Sequence, residues 1–418
     1  MAHADPTPSP TSAAQPSQGA APPGMALPVI ALLVPEIPPY RVHFHRRLVR
    51  EIPELGIATI ITLEKVHGLW DLGEMPELNI HHVADATLAG KSLSREQRMA
   101  ADRAKVERVR STLETLHRTR GVAALISVGQ RELPNLAAVR WAQERRVPRF
   151  LWADSNIKGD HASLAHRLLR HVLLRRLLNS CTGVFPCGTR GRDYFLRYGA
   201  RPERVYLSPA EPDYAQIEAI TPAQIDAARA KFNLRPDRRR IVVCNRLVDV
   251  KRTDLVIDAF ARLASERPEW DLLIVGDGPL RAALESRVPA ELRGRITFAG
   301  FVGDQSLVSA LYRACDVFCI ASTYEPWALV VPEACAAGLA IVSSDVVGAS
   351  ADLVRDGFNG RVFASGDLGA LTEALRDATR PGNAERYGQN SRRVLATWRA
   401  VADPVRAVRH ALEDAGVL

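Results

Sequence analysis

Two glutamates in the segment 322–345 (STYEPWALVVPEACAAGLAIVSSD) are spaced so that both could contact a phosphorylated ligand. Glu325 follows a buried apolar run, and Glu333 comes after seven intervening residues. Pro332 suits the first turn of a helix, where a missing amide hydrogen is tolerated, so we predict that Glu333 lies in that turn. The amides and dipole of a helix N-terminus favour a diphosphate, and a carboxylate beside them can accept hydrogen bonds from ribose hydroxyls. The pattern alone leaves open a solvated loop acid and a helix-capping acid.

The elements that must position these glutamates follow from an alternation of short apolar runs with helical patterns. That alternation is typical of parallel sheets with crossover helices. Two doubly wound α/β domains in series would leave a cleft facing the carboxyl ends of both sheets, where such folds bind ligands. Helical periodicity covers 42–51, 95–120 and the C-terminal end. We predict strands at 29–34, 57–62, 124–129, 149–153, 183–188 and 204–209, and again at 241–246, 271–277, 296–301, 317–322, 340–345 and 360–363.

Composition along the chain gives the domain boundaries. Residues 1–26 are rich in Pro, Ala and Ser and contain no Lys or Arg, which predicts a disordered tail and not a signal peptide. Turn residues between 209 and 237 mark the boundary of two Rossmann-like domains, at 27–208 and 209–395. Residues 396–418 are expected to form a helix that packs back on the first domain.

Charge and cysteine usage exclude several classes of protein. The net charge is +8, but only six of the 55 basic residues are lysines, which indicates a compositional bias and not a nucleic-acid surface. No zinc-finger, basic-zipper or RNA-binding signature is present. The six cysteines form no C-x-x-C pair and read as reduced core residues. No apolar run could span a bilayer. We therefore expect a cytoplasmic protein with no nucleic-acid partner and no metal site.

Five segments stand in order along the chain: VCNRLVDVKRTDLVIDAF (243–260), LIVGDGPLR (273–281), FAGFVGDQSLVSALY (298–312), 322–345 and DGFNGRVF (356–363). Together they resemble the large family of retaining glycosyltransferases with two Rossmann-like domains (the GT-B fold) and an E-x7-E motif, the group 1 or family 4-like enzymes. The match covers about residues 240–365. The N-terminal half resembles the family more loosely, through PEIPPYR (35–41) and WADSNIKGD (152–160).

The resemblance implies transfer of a hexose-type sugar from a nucleotide-diphosphate sugar to a glycan, glycolipid or small-molecule acceptor. It implies retained anomeric configuration and no metal or other cofactor. It places the donor in the C-terminal domain, with Arg246 and Lys251 on the diphosphate, Glu325 on the donor sugar and Glu333 on the ribose. The remaining donor-side positions are Gly276, Gly278, Phe301, Val302, Trp327, Ala328 and Leu329.

The chain departs from the family pattern at two glycine positions. Ala328 and Arg252 stand where the family commonly has glycine. The pair Gly276 and Gly278 is weak on its own, because Arg281 stands where a dinucleotide-binding fingerprint needs its third glycine. We therefore expect a strand-ending turn close to the nucleotide and not a dinucleotide site.

The acceptor side is expected in the N-terminal domain. Family members often carry a functional residue in the loop after the fourth or fifth strand, which makes Asp154, Asp160 and His161 candidates here. His43 is a candidate on the first loop. The loop PEIPPYR lacks the glycine pair of many relatives, so its last two residues, Tyr40 and Arg41, are expected to border the acceptor. Each of these polar residues could equally be an ordinary solvated side chain.

The stretch Leu164–Leu178 (LAHRLLRHVLLRRLL) has a basic amphipathic helical pattern. It could lie on the anionic inner face of a membrane and present the cleft to a lipid-linked acceptor. It could also be a core helix with an arginine face in water. The sequence leaves both interpretations open.

Three other functions fit the two-domain plan. A nucleotide-sugar epimerase would rearrange the donor without an acceptor, and a non-catalytic protein would bind it without transfer. Both are disfavoured because Glu325, Glu333, Arg246 and Lys251 are all present. A phosphorylase with pyridoxal phosphate ranks last, since no lysine has a convincing Schiff-base context.

Overall fold

The computed structural model describes residues 27–63, 73–85, 94–130, 132–159 and 164–418. Within these ranges the strands form two six-stranded, fully parallel sheets, with strand orders β3-β2-β1-β4-β5-β6 and β12-β11-β10-β7-β8-β9. The first sheet contains β1 Val29–Val34, β2 Gly56–Ile61, β3 Ile80–His82, β4 Val122–Val128, β5 Arg149–Ala153 and β6 Gly183–Pro186. The second contains β7 Arg239–Cys244, β8 Trp270–Val275, β9 Ile296–Gly300, β10 Val317–Ile320, β11 Ala340–Ser344 and β12 Gly360–Phe363.

Helices cover the faces of both sheets. This arrangement explains why central strands such as β1 are apolar throughout, since a parallel strand is buried on both faces. The predicted α/β class with two doubly wound sheets is confirmed. The helices are α1 Pro39–Glu51, α2 Arg95–Thr119, α3 Leu133–Glu144, α4 Leu164–Ser180, α5 Thr189–Arg197, α6 Tyr214–Glu218, α7 Pro222–Lys231, α8 Thr253–Leu263, α9 Arg281–Arg287, α10 Gln305–Arg313, α11 Val330–Ala337, α12 Ser350–Leu353, α13 Leu368–Ala378, α14 Asn383–Val401 and α15 Pro404–Asp414.

The first sheet differs from the sequence prediction at its two edges. The short strand β3 was not predicted, because its sequence, Ile-His-His, has no apolar run. The predicted strand at 204–209 is wrong: only Val205 pairs, in an isolated bridge to Val184. Tyr206 and Ser208 donate to carbonyls of β6, but Pro186 has no amide hydrogen with which to continue the ladder. The segment instead carries the chain towards the second sheet.

The chain passes between the two halves twice. It leaves the first half near Glu211 and returns at Asp403, where α15 packs on α1. Arg47 of α1 bonds the carboxylates of both Glu211 and Asp403, the latter at 2.8 Å. Arg409 of α15 adds an ion pair with Glu54 at 3.0 Å.

One apolar cluster joins the two halves. It includes Trp152 of β5, Tyr214 of α6, Trp327 in the loop after β10, and Trp398 of α14. The rings of Trp327 and Trp398 lie 6.1 Å apart. In the ranges above, no helix is both long and apolar enough to cross a bilayer. The expected tail at residues 1–26 lies outside the described residues.

Candidate active site

Glu325 and Lys251 meet at the carboxyl edge of the second sheet. Lys251 ends the turn that follows β7, and Glu325 lies in the loop that follows β10, the neighbour of β7. The Lys251 ammonium bonds Glu325 Oε2, and Ser322 Oγ lies 3.4 Å from the same oxygen. Both side chains are largely buried, with 21% and 12% of their surface exposed. The pair therefore places a positive and a negative group side by side where adjacent strands end.

Glu333 lies in the first turn of α11, as its position after Pro332 predicted. It is 6% exposed. Gln305 Nε2 donates to Oε1 at 3.0 Å, and the Tyr312 hydroxyl donates to Oε2 at 3.3 Å. Burial raises the pKa of Glu333 to about 7, although both hydrogen bonds oppose that shift. The carboxylate is thus held in place by neutral donors, and no cation among the described residues forms an ion pair with it.

Arg246 follows β7 on the same edge of the sheet as Lys251. Its side chain is exposed and makes no hydrogen bond or ion pair with any residue that the structure describes. An unpaired guanidinium at a sheet edge can bind an anion without first breaking an internal contact. This is the state expected of a phosphate-binding arginine.

Gly276 and Gly278 form the turn after β8 and allow two loops to approach closely. A Cβ atom at Gly276, where φ is +129°, would lie 1.8 Å from the carbonyl oxygen of Asn245. At Gly278 it would lie 2.4 Å from the carbonyl oxygen of Leu247. Both glycines are required because the loop that carries Arg246 packs directly on theirs.

Residues 327–329 directly precede α11, and each of the three has different surroundings. The Trp327 indole donates to the carbonyl of Ala210 at 2.8 Å, so this side chain anchors the loop to the connection between the halves and does not face the cleft. Ala328 has a left-handed backbone with φ of +79°. Leu329 lines the cleft described below. Ala328 and Arg252, where φ is +50°, are the two positions where the family commonly has glycine, and both have the conformation that glycine adopts without strain.

A cleft of about 910 Å³ separates α1 from the second half. Tyr40 and His43 of α1 line one wall, and Gln305, Leu329 and Glu333 line the other. Glu325, Lys251 and Arg246 are not among the residues that line it, and among the described residues no hydrogen bond or ion pair joins Glu325 to Glu333. The structure therefore brings the predicted ribose carboxylate and two predicted acceptor residues to one cleft, while the Glu325–Lys251 pair forms a separate centre on the same sheet.

His43 lies among acidic neighbours at this wall. Its Nδ1 is 3.4 Å from Asp213 Oδ2, and its Nε2 is 3.9 Å from Glu211 Oε1. Burial nevertheless lowers the pKa of His43, with Asp213 acting in the opposite direction.

Arg41 and Asp154 border a second cavity, of about 410 Å³, at the carboxyl edge of the first sheet. Tyr40 lines both cavities. Arg41 is 8% exposed, lies over the rings of Tyr40 and Trp152 at 5.6 and 5.8 Å, and donates to the carbonyl of Glu36 at 2.9 Å. The Arg41 side chain therefore forms part of the buried cavity wall, whereas Asp154 is exposed at the rim.

Of the other predicted positions, two line neither cavity and two lie outside the described residues. Phe301 is 51% exposed, and Val302 packs partly on the core. Asp160 and His161 lie outside the described residues.

Sequence reasoning did not single out four side chains that contact the glutamates, namely those of Gln305 and Tyr312 at Glu333 and of Ser322 and Asn156 at Glu325. Gln305 binds the Glu333 carboxylate, and Asn156 donates to the main-chain carbonyl of Glu325. Asn156 belongs to the segment WADSNIKGD (152–160) and Gln305 to the segment FAGFVGDQSLVSALY (298–312). Neither segment indicates which distant residue these side chains contact.

Comparison with known proteins shows which families and relatives this chain resembles. Residues 224–394 match the family described as Glycosyl transferases group 1. Mannosylfructose-phosphate synthase of Agrobacterium fabrum is 27% identical over 306 residues, 65% of this chain and 65% of that protein. The lipopolysaccharide core biosynthesis mannosyltransferase LpsB of Rhizobium meliloti is 33% identical over 157 residues, 35% of this chain and 43% of that protein. The matches therefore span less than two thirds of the length of these curated relatives.

Solved structures share the fold over nearly the whole chain. Anabaena HepE in complex with UDP is similar with a TM-score of 0.70 and 17% identity, and the match covers 94% of this chain and 100% of that one. The predicted resemblance to glycosyltransferases is confirmed over residues 224–394, which match the group 1 glycosyl transferases. The chain has the GT-B fold of two facing Rossmann-like domains.

Proposed function

We propose that this protein is a retaining glycosyltransferase that moves a hexose-type sugar from a nucleotide-diphosphate sugar to a glycan, glycolipid or small-molecule acceptor. The observation that carries the proposal is the Lys251–Glu325 pair at the carboxyl edge of the second sheet, with Glu333 in the first turn of α11 on the same half. A cation for the diphosphate, a carboxylate for the sugar and a carboxylate for the ribose are the groups that this chemistry needs.

The donor is assigned to the second half. Glu333 accepts hydrogen bonds from the ribose hydroxyls, and Arg246 and Lys251 bind the diphosphate. Anabaena HepE has been solved with UDP and with UDP-glucose, which supports a nucleotide sugar as the donor class. The buried carboxylate of Glu333 and the unpaired guanidinium of Arg246 suit a ligand with hydroxyls at one end and phosphates at the other.

The reaction follows from charge development. When the bond between the anomeric carbon and the phosphate oxygen breaks, its electron pair goes to the departing diphosphate, where Arg246 and Lys251 stabilise it. The acceptor oxygen then bonds the anomeric carbon on the same face, and its proton passes to the departing phosphate oxygen. Glu325 holds sugar hydroxyls and favours the positive charge on the ring. Configuration is retained because attack and departure share one face.

We propose that no metal ion is required, since an arginine and a lysine already supply positive charge to the diphosphate. The measurement is turnover in excess EDTA. Activity within twofold of the untreated enzyme supports the proposal, and activity that disappears and returns with Mg²⁺ contradicts it.

The acceptor is assigned to the wall formed by α1, with Tyr40 and His43 at the larger cleft and Arg41 and Asp154 at the second cavity. Asp160 and His161 follow Asp154 in the sequence and belong to this proposal. A tyrosine that borders both cavities suits an acceptor that extends from one to the other.

A membrane-bound acceptor is supported by α4. Leu168, Leu169, Val172 and Leu173 are 48–62% exposed on one face, whereas Leu174 and Leu178 pack inward. The helix contains no acidic residue, and Arg167, Arg175 and Arg176 are exposed on it. An apolar face flanked by arginines suits an anionic lipid surface. We propose peripheral contact with the inner membrane face through α4, tested by flotation with anionic and neutral liposomes. Equal recovery of wild type and Leu169→Glu with anionic liposomes contradicts it.

The test of function is a thermal-shift and hydrolysis screen against UDP-, GDP- and ADP-sugars, with Glu333→Ala as the control. A shift with one donor that the variant loses supports the assignment and identifies the donor. We expect Glu333→Ala to weaken nucleotide binding and Glu325→Ala to lower turnover. Activity of both variants equal to wild type refutes these roles.

A further inference from the structure

A short segment of the first half is bonded to the loop that carries Glu325. Asn156, which follows β5, is 3% exposed. Its amide nitrogen donates to the carbonyl of Glu325 at 2.9 Å and to that of Val346 at 2.8 Å, and its amide oxygen accepts from the backbone N–H of Lys158 at 2.8 Å. Every polar atom of this side chain is therefore used, and the two donated bonds cross from one half to the other.

The shape of the contact fixes the segment further. A Cβ atom at Gly159 would lie 2.1 Å from the ring of Tyr324, so this glycine lets the segment lie flat on the residue before Glu325. The carbonyl of Glu325 also accepts from the backbone N–H of Gly348 at 3.1 Å. The main chain of Glu325 is thus held by both halves.

We infer that Asn156 is a positioning residue that sets the orientation of Glu325 when the two halves meet. The inference rests on the proposed function, because it concerns the role of Glu325 in transfer. Lys251 holds the side chain of Glu325 from its own half, and Asn156 holds its main-chain carbonyl from the other half. Glu325 is correctly placed only in the arrangement in which both contacts exist.

The chemistry at position 156 requires an amide. A side chain that bonds two carbonyls must supply two hydrogens, which Asn does and an ionised Asp of the same shape does not. The substitution Asn156→Asp would instead place a negative charge against two carbonyl oxygens. A protonated aspartic acid supplies one hydrogen and would restore one of the two bonds.

The experiment compares Asn156→Ala and Asn156→Asp with a matched control, Asp352→Ala. Asp352 accepts from the backbone N–H of Thr189 at 3.0 Å, so it also joins the two halves, but it does not contact Glu325. The readouts are kcat and KM with the donor from the screen, the Kd of UDP by calorimetry, and crystal structures of wild type and Asn156→Ala with UDP.

We expect Asn156→Ala to lower kcat by about tenfold to thirtyfold, the loss of two ordinary hydrogen bonds that matter only in the aligned state. The Kd of UDP should stay within twofold, since Arg246, Lys251 and Glu333 all lie in the other half. Asp352→Ala should change kcat less than threefold. The kcat of Asn156→Asp relative to wild type should rise as the pH falls.

Three kinetic results would overturn the inference. Asn156→Ala could turn over like wild type, Asp352→Ala could lose as much activity as Asn156→Ala, or the ratio for Asn156→Asp could be independent of pH. The crystal structures separate this inference from the proposed function. If wild type transfers no sugar, the proposed function fails. The inference is then decided by the crystal structure of Asn156→Ala: loss of the bond between Lys251 and Glu325 supports it, and an unchanged bond contradicts it.

Discussion

Replacing Glu333 by Gln should stabilise the protein and weaken its binding of nucleotides. The two effects have opposite signs because one buried carboxylate causes both. In the free protein Glu333 is 6% exposed, and its side-chain partners among the residues that the structure describes are the neutral donors Gln305 and Tyr312. Gln has nearly the same shape and carries no charge that burial penalises.

The magnitude follows from the pKa of Glu333, which burial raises from 4.5 to about 7. Because the folded state holds the proton more tightly than the unfolded state, the stability is fully present below pH 4.5 and is lost as the pH rises through 7. The loss is about 1 kcal/mol at pH 5.5 and about 3 kcal/mol at pH 8.5. The free energy of unfolding of Glu333→Gln, relative to that of wild type, should therefore be about 2 kcal/mol higher at pH 8.5 than at pH 5.5.

The assay is thermal unfolding of both proteins at pH 5.5 and 8.5. For a chain of 418 residues that unfolds as one unit, a gain of about 2 kcal/mol corresponds to a rise of about 2 °C in the difference between the two melting temperatures. Burial also raises the pKa of Glu211, but that residue is present in both proteins and its effect cancels. The same samples give the Kd of UDP by calorimetry. Loss of a charged acceptor should weaken binding by about tenfold to a hundredfold at pH 8.5.

Two results would refute the reasoning. A difference in melting temperature that is the same at both pH values would mean that the Glu333 carboxyl is ionised throughout this range. Equal UDP affinity of the two proteins at pH 8.5 would mean that the carboxylate does not bind the ribose. The ionisation of UDP itself affects both proteins alike, so it cannot imitate either result.

Three further substitutions test separate parts of the site. Arg246→Ala should lower kcat by on the order of a hundredfold while leaving the melting temperature unchanged, because the side chain has no partner within the described structure; a fall in melting temperature would assign Arg246 a structural role. Ala328→Gly should stabilise the protein against urea by about 0.5–1 kcal/mol, since φ is +79° there, and an unchanged or lower urea midpoint would contradict the strain. Gly278→Ala should destabilise the second half, because its Cβ would lie 2.4 Å from the carbonyl of Leu247; wild-type thermal unfolding would show that the loop yields freely.

The second half was the more predictable from the sequence. All six of its strands were predicted within two residues of their ends, because each is a short apolar run between turn residues. Pro332 fixed the start of α11 and with it the place of Glu333. Local chemistry decides these features, so local sequence reveals them.

Contacts between distant segments were not predictable in the same way. The resemblance places Trp327 on the donor side, but it gives no indication that the indole bonds the carbonyl of Ala210, 117 positions away. Asn156 and Gln305 act on the two glutamates only through tertiary packing. The roles of Arg246, Lys251, Glu325 and Glu333, and the three domain boundaries, remain predictions.

The chain crosses between its two halves twice, and this determines where it can be joined to another protein in a chimera. Arg47 bonds Glu211 where the chain leaves the first half and Asp403 where it returns. A chimera that imports a different donor half therefore needs two junctions, one after Glu211 and one before Asp403, so that α15 stays with α1. A single junction would separate Arg47 from one of its carboxylates and leave the paired face of α1 without its helix. The part of the chain that can be exchanged is the stretch between Glu211 and Asp403, whichever donor sugar the imported half binds.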